Sequence, residues 1–259
     1  VVTPDATLSD LEITSAKDVT FGNLKVLNVA SITNEGKLTL GTGEFKDITI
    51  NSDSADITNI KATGTSNLTT TGALTLETGE FAGVTINSGS AEITKITATG
   101  TSNLTTTGAL KLGAGDFVGV IINSGSVDIT SLKSTGDANL TTKENLKLGT
   151  GDFAGVTMTS NNGSVEVSNL TSSNNVVINS ENGKTTINTA NVTGNLTTDT
   201  NELEVLNKLT VAGTSNLTTA GALTLGTGEF ADITITSNSA DITKITATGT
   251  SNLTTTGAL

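Results

Sequence analysis

Two recurring strings set polar side chains at fixed intervals in this chain. Asn-x-Ser/Thr occurs at Asn67, Asn103, Asn139, Asn162, Asn169, Asn191, Asn195, Asn216 and Asn252, seven times as Asn-Leu-Thr. That tripeptide is an acceptor for N-linked sugar, and a regular array of them would set sugars in a line. The competing reading gives Asn a corner of the chain, hydrogen-bonded to backbone or laddered with its neighbours, with Thr following because Thr suits strands. The second string is Gly-x-Gly-acid at Gly41 to Glu44, Gly113 to Asp116 and Gly226 to Glu229, with Glu77 to Glu80 a variant. Carboxylate and carbonyl oxygens are calcium ligands, and the glycines are similar to those of calcium-binding nonapeptide repeats. Here, however, Phe takes the place of the ligand Asp, once per 36 residues. A turn before a buried Phe accounts for the glycines, leaving Glu44, Glu80, Asp116, Asp152 and Glu229 as a solvated acidic column.

Threonine-rich stretches such as LTTT and ITAT could line a flat face of the kind that ice-binding solenoids present. Lys95 and Lys244 interrupt the threonines, so these are read as ordinary outward strand residues. A hydrolytic site would need acids and bases gathered together, whereas Glu166, Glu181, Asp199, Glu202 and Glu204 read as scattered surface charges.

Composition removes most other chemistry. The 259 residues contain no His, Cys, Arg, Trp or Tyr. No imidazole or thiolate is available for catalysis or metal binding, and no guanidinium can grip a phosphate. We therefore expect no enzyme, no catalytic residue, no metal and no cofactor. The net charge of −12 argues against nucleic acid and anionic membrane as partners. No apolar run of membrane-spanning length occurs, and Val1 begins inside the repeat pattern.

The elements that must position these strings follow from the repeat. GTSNLTTTGALTL from Gly64 returns almost unchanged at Gly100 and Gly213, and Phe recurs at 45, 81, 117 and 153 in steps of 36. The next such residue, Phe230, lies slightly more than two periods beyond Phe153, so small insertions fall near 160–210. Within Ala73 to Gly108, short runs alternate apolar and polar residues and end in glycine-rich or Asn-Ser-Gly turns, the pattern of four- to six-residue strands. At ~3.3 Å per residue a 36-residue coil would enclose a space too wide to fill, whereas about 18 residues give a perimeter of ~60 Å that aliphatic side chains and one Phe can close.

The sequence thus predicts an all-β fold, a parallel β-helix (β-solenoid) of the usual right hand, with about 18 residues per coil and two coils per 36-residue repeat. The inward residues are Leu74, Leu76, Phe81, Val84, Ile86, Ile93, Ile96 and Leu104, with Phe45, Phe117, Phe153 and Phe230 as counterparts of Phe81. One continuous solenoid is expected: degenerate coils over 1–35, regular repeats over 36–159, irregular coils over 160–212, and regular repeats cut short over 213–259. About fourteen coils at ~4.8 Å would make a rod of ~65–70 Å.

These residues, above all the NLTTTGALTL strings in a cysteine-free acidic chain, resemble the repeat region of bacterial filamentous haemagglutinin-like exoproteins, the adhesins of two-partner secretion. The resemblance implies an extracellular or cell-surface location and a shaft that holds a tip away from the cell. It also implies a host receptor or surface glycan bound outside this piece, and sugars on sequons such as Asn67 and Asn103. Two alternatives stand beside it. One is a self-associating fibre or surface-layer subunit, and the other a carbohydrate- or calcium-binding repeat module.

Overall fold

The computed structural model describes residues 5–258, leaving aside the side chains of Asp5, Ala6 and Glu181; the opening Val1 and the surface charge expected at Glu181 lie outside that description. Among the described residues there is no helix, and all strand pairs are parallel. The chain is a β-solenoid whose turns lie roughly 18 residues apart, about 14 in all. It divides into two compact units between Gly125 and Ser126.

The first unit holds β1 (Asp5–Leu8), β2 (Leu11–Ser15), β3 (Val19–Thr70), β4 (Ala73–Ser88), β5 (Ser90–Thr106) and β6 (Ala109–Ser124). The second holds β7 (Ser126–Thr142), β8 (Leu146–Ser160), β9 (Val165–Ser172), β10 (Val176–Val192), β11 (Leu196–Thr219), β12 (Ala222–Ser237), β13 (Ser239–Ala247) and β14 (Ser251–Thr255). β3 runs as one strand of 52 residues, longer than a single coil, so its ladder continues round the corners. Among the described residues no glycine has positive φ. The expected glycine turns are therefore not left-handed turns.

Alternation shows how the corners are made. In β4 the inward, buried residues are Leu74, Leu76, Gly79, Phe81, Val84, Ile86 and Ser88. Within each side they are two apart, as pleating requires. Between Leu76 and Gly79, and again between Phe81 and Val84, two successive residues face out, and each such skip is a corner. In β5 the inward residues are Ala91, Ile93, Ile96, Ala98, Ser102, Leu104 and Thr106, and the skip after Ala98 takes in Thr99, Gly100 and Thr101. Hence the step from Leu74 to its partner Ala91 is shorter than the step from Ala91 to its partner Leu110, and the two coils together span the 36-residue repeat.

Side-chain volume explains why the repeat is two coils long. Paired inward residues read Leu74–Ala91–Leu110, Gly79–Ile96–Gly115 and Phe81–Ala98–Phe117 along successive coils. Large sits on small in each column, so a Phe ring finds room that a second Phe in the next coil would occupy. The Leu76–Ile93–Leu112 column, by contrast, keeps one size. All six Phe are buried, as are Leu74, Leu76, Val84, Ile86, Ile93, Ile96 and Leu104.

The inserted stretch changes these residues in pairs. Phe153, Ser172, Val192, Val211 and Phe230 form one column, so the stretch between the two Phe is four coils, and the extra residues fall in the first three of them. The adjoining column reads Gly151, Leu170, Ala190, Leu209, Gly228. Where Val192 stands in place of a Phe, Ala190 stands in place of the glycine two positions before it.

Buried hydroxyls line the remaining corner. Thr70 and Ser88 Oγ atoms lie 2.7 Å apart, and Ser88 also donates toward the carbonyls of Gly72 and Ser90 at 3.1 and 2.5 Å. Thr106 and Ser124 repeat the pair at 2.6 Å. The hydroxyls add a side-chain bond at the corner to carbonyls such as Gly72 O, which also accepts from Ser90 N.

Candidate binding surfaces

Extended strands place five of the seven Asn-Leu-Thr asparagines, Asn67, Asn103, Asn139, Asn216 and Asn252, in the middle of a side, and the Leu that follows is buried in all but the last coil, where Leu253 is exposed. In the first unit Asn67 pairs with Thr85, Thr85 with Asn103 and Asn103 with Ile121. The column two positions along reads Thr69, Asn87, Thr105, Asn123. Between Asn67 and Asn123 these columns form a chequerboard of amides and hydroxyls without a charged residue, broken once by the exposed Ile121. None of these side chains makes an intramolecular hydrogen bond among the described residues, so their polar groups are left to solvent.

For those five the placement is not the corner considered for them, whereas Asn169, in the outward skip Ser168–Asn169, and Asn195, just before β11, do lie at corners. Backbone groups freed at corners are taken up by other residues. Asp47 Oδ1 accepts from Thr65 N at 2.6 Å, Asp232 Oδ1 from Thr250 N at 2.6 Å, and Asn145 Oδ1 from Ser164 N at 2.9 Å. Of the nine sequon asparagines, Asn195 does this work, accepting from Thr214 N at 2.9 Å. Asn162 instead accepts a side-chain bond from Asn182 at 3.4 Å.

The sequons also do not form one line. In the second unit Asn139 pairs with Thr157, and Asn216 and Asn252 both with Thr234, all on the side that pairs VTMTS- and ITITS-type strands. Asn169 pairs with Thr150 and Thr189 on another side, beside the Gly–Leu column, and Asn191 with Thr171 and Thr210. Eight of the nine are exposed, and Asn67 is half-buried.

The acidic residues after the glycines face out one position before the buried Phe. In the first unit they do not stand as a purely acidic column, because lysines of the intervening coils come between. Lys25 pairs with Glu44 at 2.8 Å and Lys61 with Glu80 at 3.4 Å; in the second unit Lys208 pairs with Glu229 at 2.8 Å. The Lys25 hydrogen bond and charge, with a further contribution from Lys61, hold the Glu44 carboxyl below its ordinary range. Asp116 pairs with Thr97 and Asp152 with Lys133. Successive acids in the column are two coils apart, ~9.6 Å, which is too far for two to ligate one cation. Among the described residues no three acidic side chains gather around a common point.

The glycine of Gly-x-Phe is the residue whose role sequence reasoning missed. Gly79 is buried and inward, and a Cβ built on it would lie 2.5 Å from Phe81 Cε2. The Phe ring folds back over the glycine, which is there for space and not for a turn. The signal was present in the sequence, since Gly and Phe vanish together at Ala190 and Val192. Shallow open depressions flank the Asn/Thr side, one of ≈ 420 Å³ bordered by Asp47, Asn67, Gly83 and Thr85 in the first unit.

No protein-family model matches this chain, and no curated protein or solved structure is significantly similar to it.

Proposed function

We propose that this chain is a non-enzymatic structural segment, the repetitive shaft of a surface adhesin or secreted exoprotein, whose work is to space or display something else. The observation that carries the reading is the two-coil unit. Large and small residues alternate so that each pair of coils ends as it began, and a stack built this way can be lengthened by whole repeats without redesigning its core. Its stability is then a sum of coil and neighbour terms. The residue types fit a passive role, since the chain lacks imidazole, thiol and guanidinium. The resemblance to filamentous haemagglutinin-like repeats supports the placement outside the cell.

The test is protease shaving of intact cells that make the protein, followed by immunodetection of the chain. A surface shaft is degraded by protease added to whole cells. A chain that stays intact until the cells are lysed contradicts the proposal.

A further inference from the structure

We propose that the charge-free Asn/Thr face between Asn67 and Asn123 binds ice. The sequence objection to such a face was that Lys95 and Lys244 break the threonine columns, and the strand register removes it. Lys95 pairs with Thr78 and Ala114, and Lys244 with Thr227, on a different side of the coil. The Asn-Leu-Thr side is paired instead with Val-Thr-Ile-Asn strands. Successive coils therefore present Asn67 and Thr69, then Thr85 and Asn87, then Asn103 and Thr105. Each of these three coils offers one amide and one hydroxyl two positions apart, and the next offers Asn123 beside the exposed Ile121. The rows are ~6.6 Å apart along the strand and repeat every ~4.8 Å between coils, spacings of the order of those between oxygen rows at an ice surface.

Three observations select ice over other occupants. A saccharide chain is ordinarily gripped by exposed aromatic rings, but the chain has no Trp or Tyr and all six Phe are buried. A second copy would have to strip water from seven amides and hydroxyls around one exposed Ile121, at a cost for every polar group left unpaired. Ice demands no such stripping, because the groups keep their water and order it. That they make no side-chain hydrogen bonds to one another leaves them free to do so. A parallel ladder beneath them, with Leu68, Ile86, Leu104 and Ile122 buried between the outward residues, holds the array in register. Charges, which would hold water out of step with the lattice, are absent from these columns between Asn67 and Asn123. In the second unit Asp199 interrupts the equivalent column.

The experiment measures thermal hysteresis and partition into slowly growing ice for the full chain and three single variants. Thr85→Lys and Asn87→Lys place a charge on the face, and Thr75→Lys places one on another side, between Asp56 and Glu92. The expected result is a hysteresis gap and enrichment in ice for the parent and Thr75→Lys, with at least a tenfold loss for the other two. A parent chain excluded from ice would overturn the proposal, as would equal loss in Thr75→Lys. A dimer by light scattering that Asn87→Lys dissolves would assign the face to a second copy instead. Sugar found on Asn67 or Asn103 of the natively made protein would cover the face and overturn it too.

Discussion

Phe81 lies back over Gly79, and a methyl group on that glycine would come within 2.5 Å of the ring carbon Cε2. The pair is one unit of volume shared by two residues. The chain itself carries the compensated version, Ala190 with Val192, both buried. Gly79→Ala alone should therefore overpack the coil and cost about 1–3 kcal/mol, and Phe81→Val should leave a void. The double variant should be more stable than the two losses added together predict, with a favourable coupling of about 1 kcal/mol or more in a denaturant double-mutant cycle. Simple additivity would mean that the two sites do not share space.

A second prediction concerns buried hydroxyls that lack partners. Ser66, Ser102 and Ser215 are inward and their Oγ atoms make no hydrogen bond, while the equivalent residue of another repeat is Ala138, also buried. A buried unpaired hydroxyl costs about 1–3 kcal/mol by comparison with one that is satisfied. Ser102→Ala should be neutral or stabilising in thermal melts. Ser88→Ala should instead lower stability by about 1–2 kcal/mol, because Ser88 is bonded to Thr70, Gly72 and Ser90.

The Glu44 carboxyl yields a pH prediction whose sign follows from its partner. Its folded pKa is lowered from 4.5 by the Lys25 hydrogen bond and charge. A group depressed on folding contributes stability that is present above the unfolded pKa and is lost as pH falls through the folded pKa. Both side chains are about half exposed, so the contribution is small and screened by salt. Lys25→Met should raise the Glu44 titration midpoint toward 4.5 in an NMR pH series, and high salt should do the same in the parent chain. An unchanged midpoint would show that the pair does not persist in solution.

The parallel coil and its aliphatic core were legible because inward residues alternate within each side and the repeat returns every 36 residues. The division into two coils was legible from core width alone, since the halves share little sequence. The reason for that dissimilarity is now physical: Leu74, Gly79 and Phe81 must stack on Ala91, Ile96 and Ala98, so neighbouring coils are complements and not copies. Small inward residues such as Ala98 and Ser102 gave no hydrophobic signal and were overlooked. The surfaces were harder to read, because deciding that Lys95 and Asn103 lie on different sides requires knowing where the chain turns. Outward skips at Glu77–Thr78 and Ala82–Gly83 look in sequence like any other polar pair.

The central claim, that the core repeats every two coils and so can be lengthened or shortened in steps of 36 residues, is tested by two deletions. Removing residues 73–108 rejoins Gly72 to Ala109 and leaves Ala62 stacked on Phe117, as it now stacks on Phe81. Removing residues 90–108 deletes one coil, which sets Phe81 on Phe117 and Gly79 on Gly115. Urea unfolding should show the one-coil deletion less stable than the two-coil deletion by about 3 kcal/mol or more, although the two-coil deletion removes more of the stack. Equal stability of the two deletions would contradict the account.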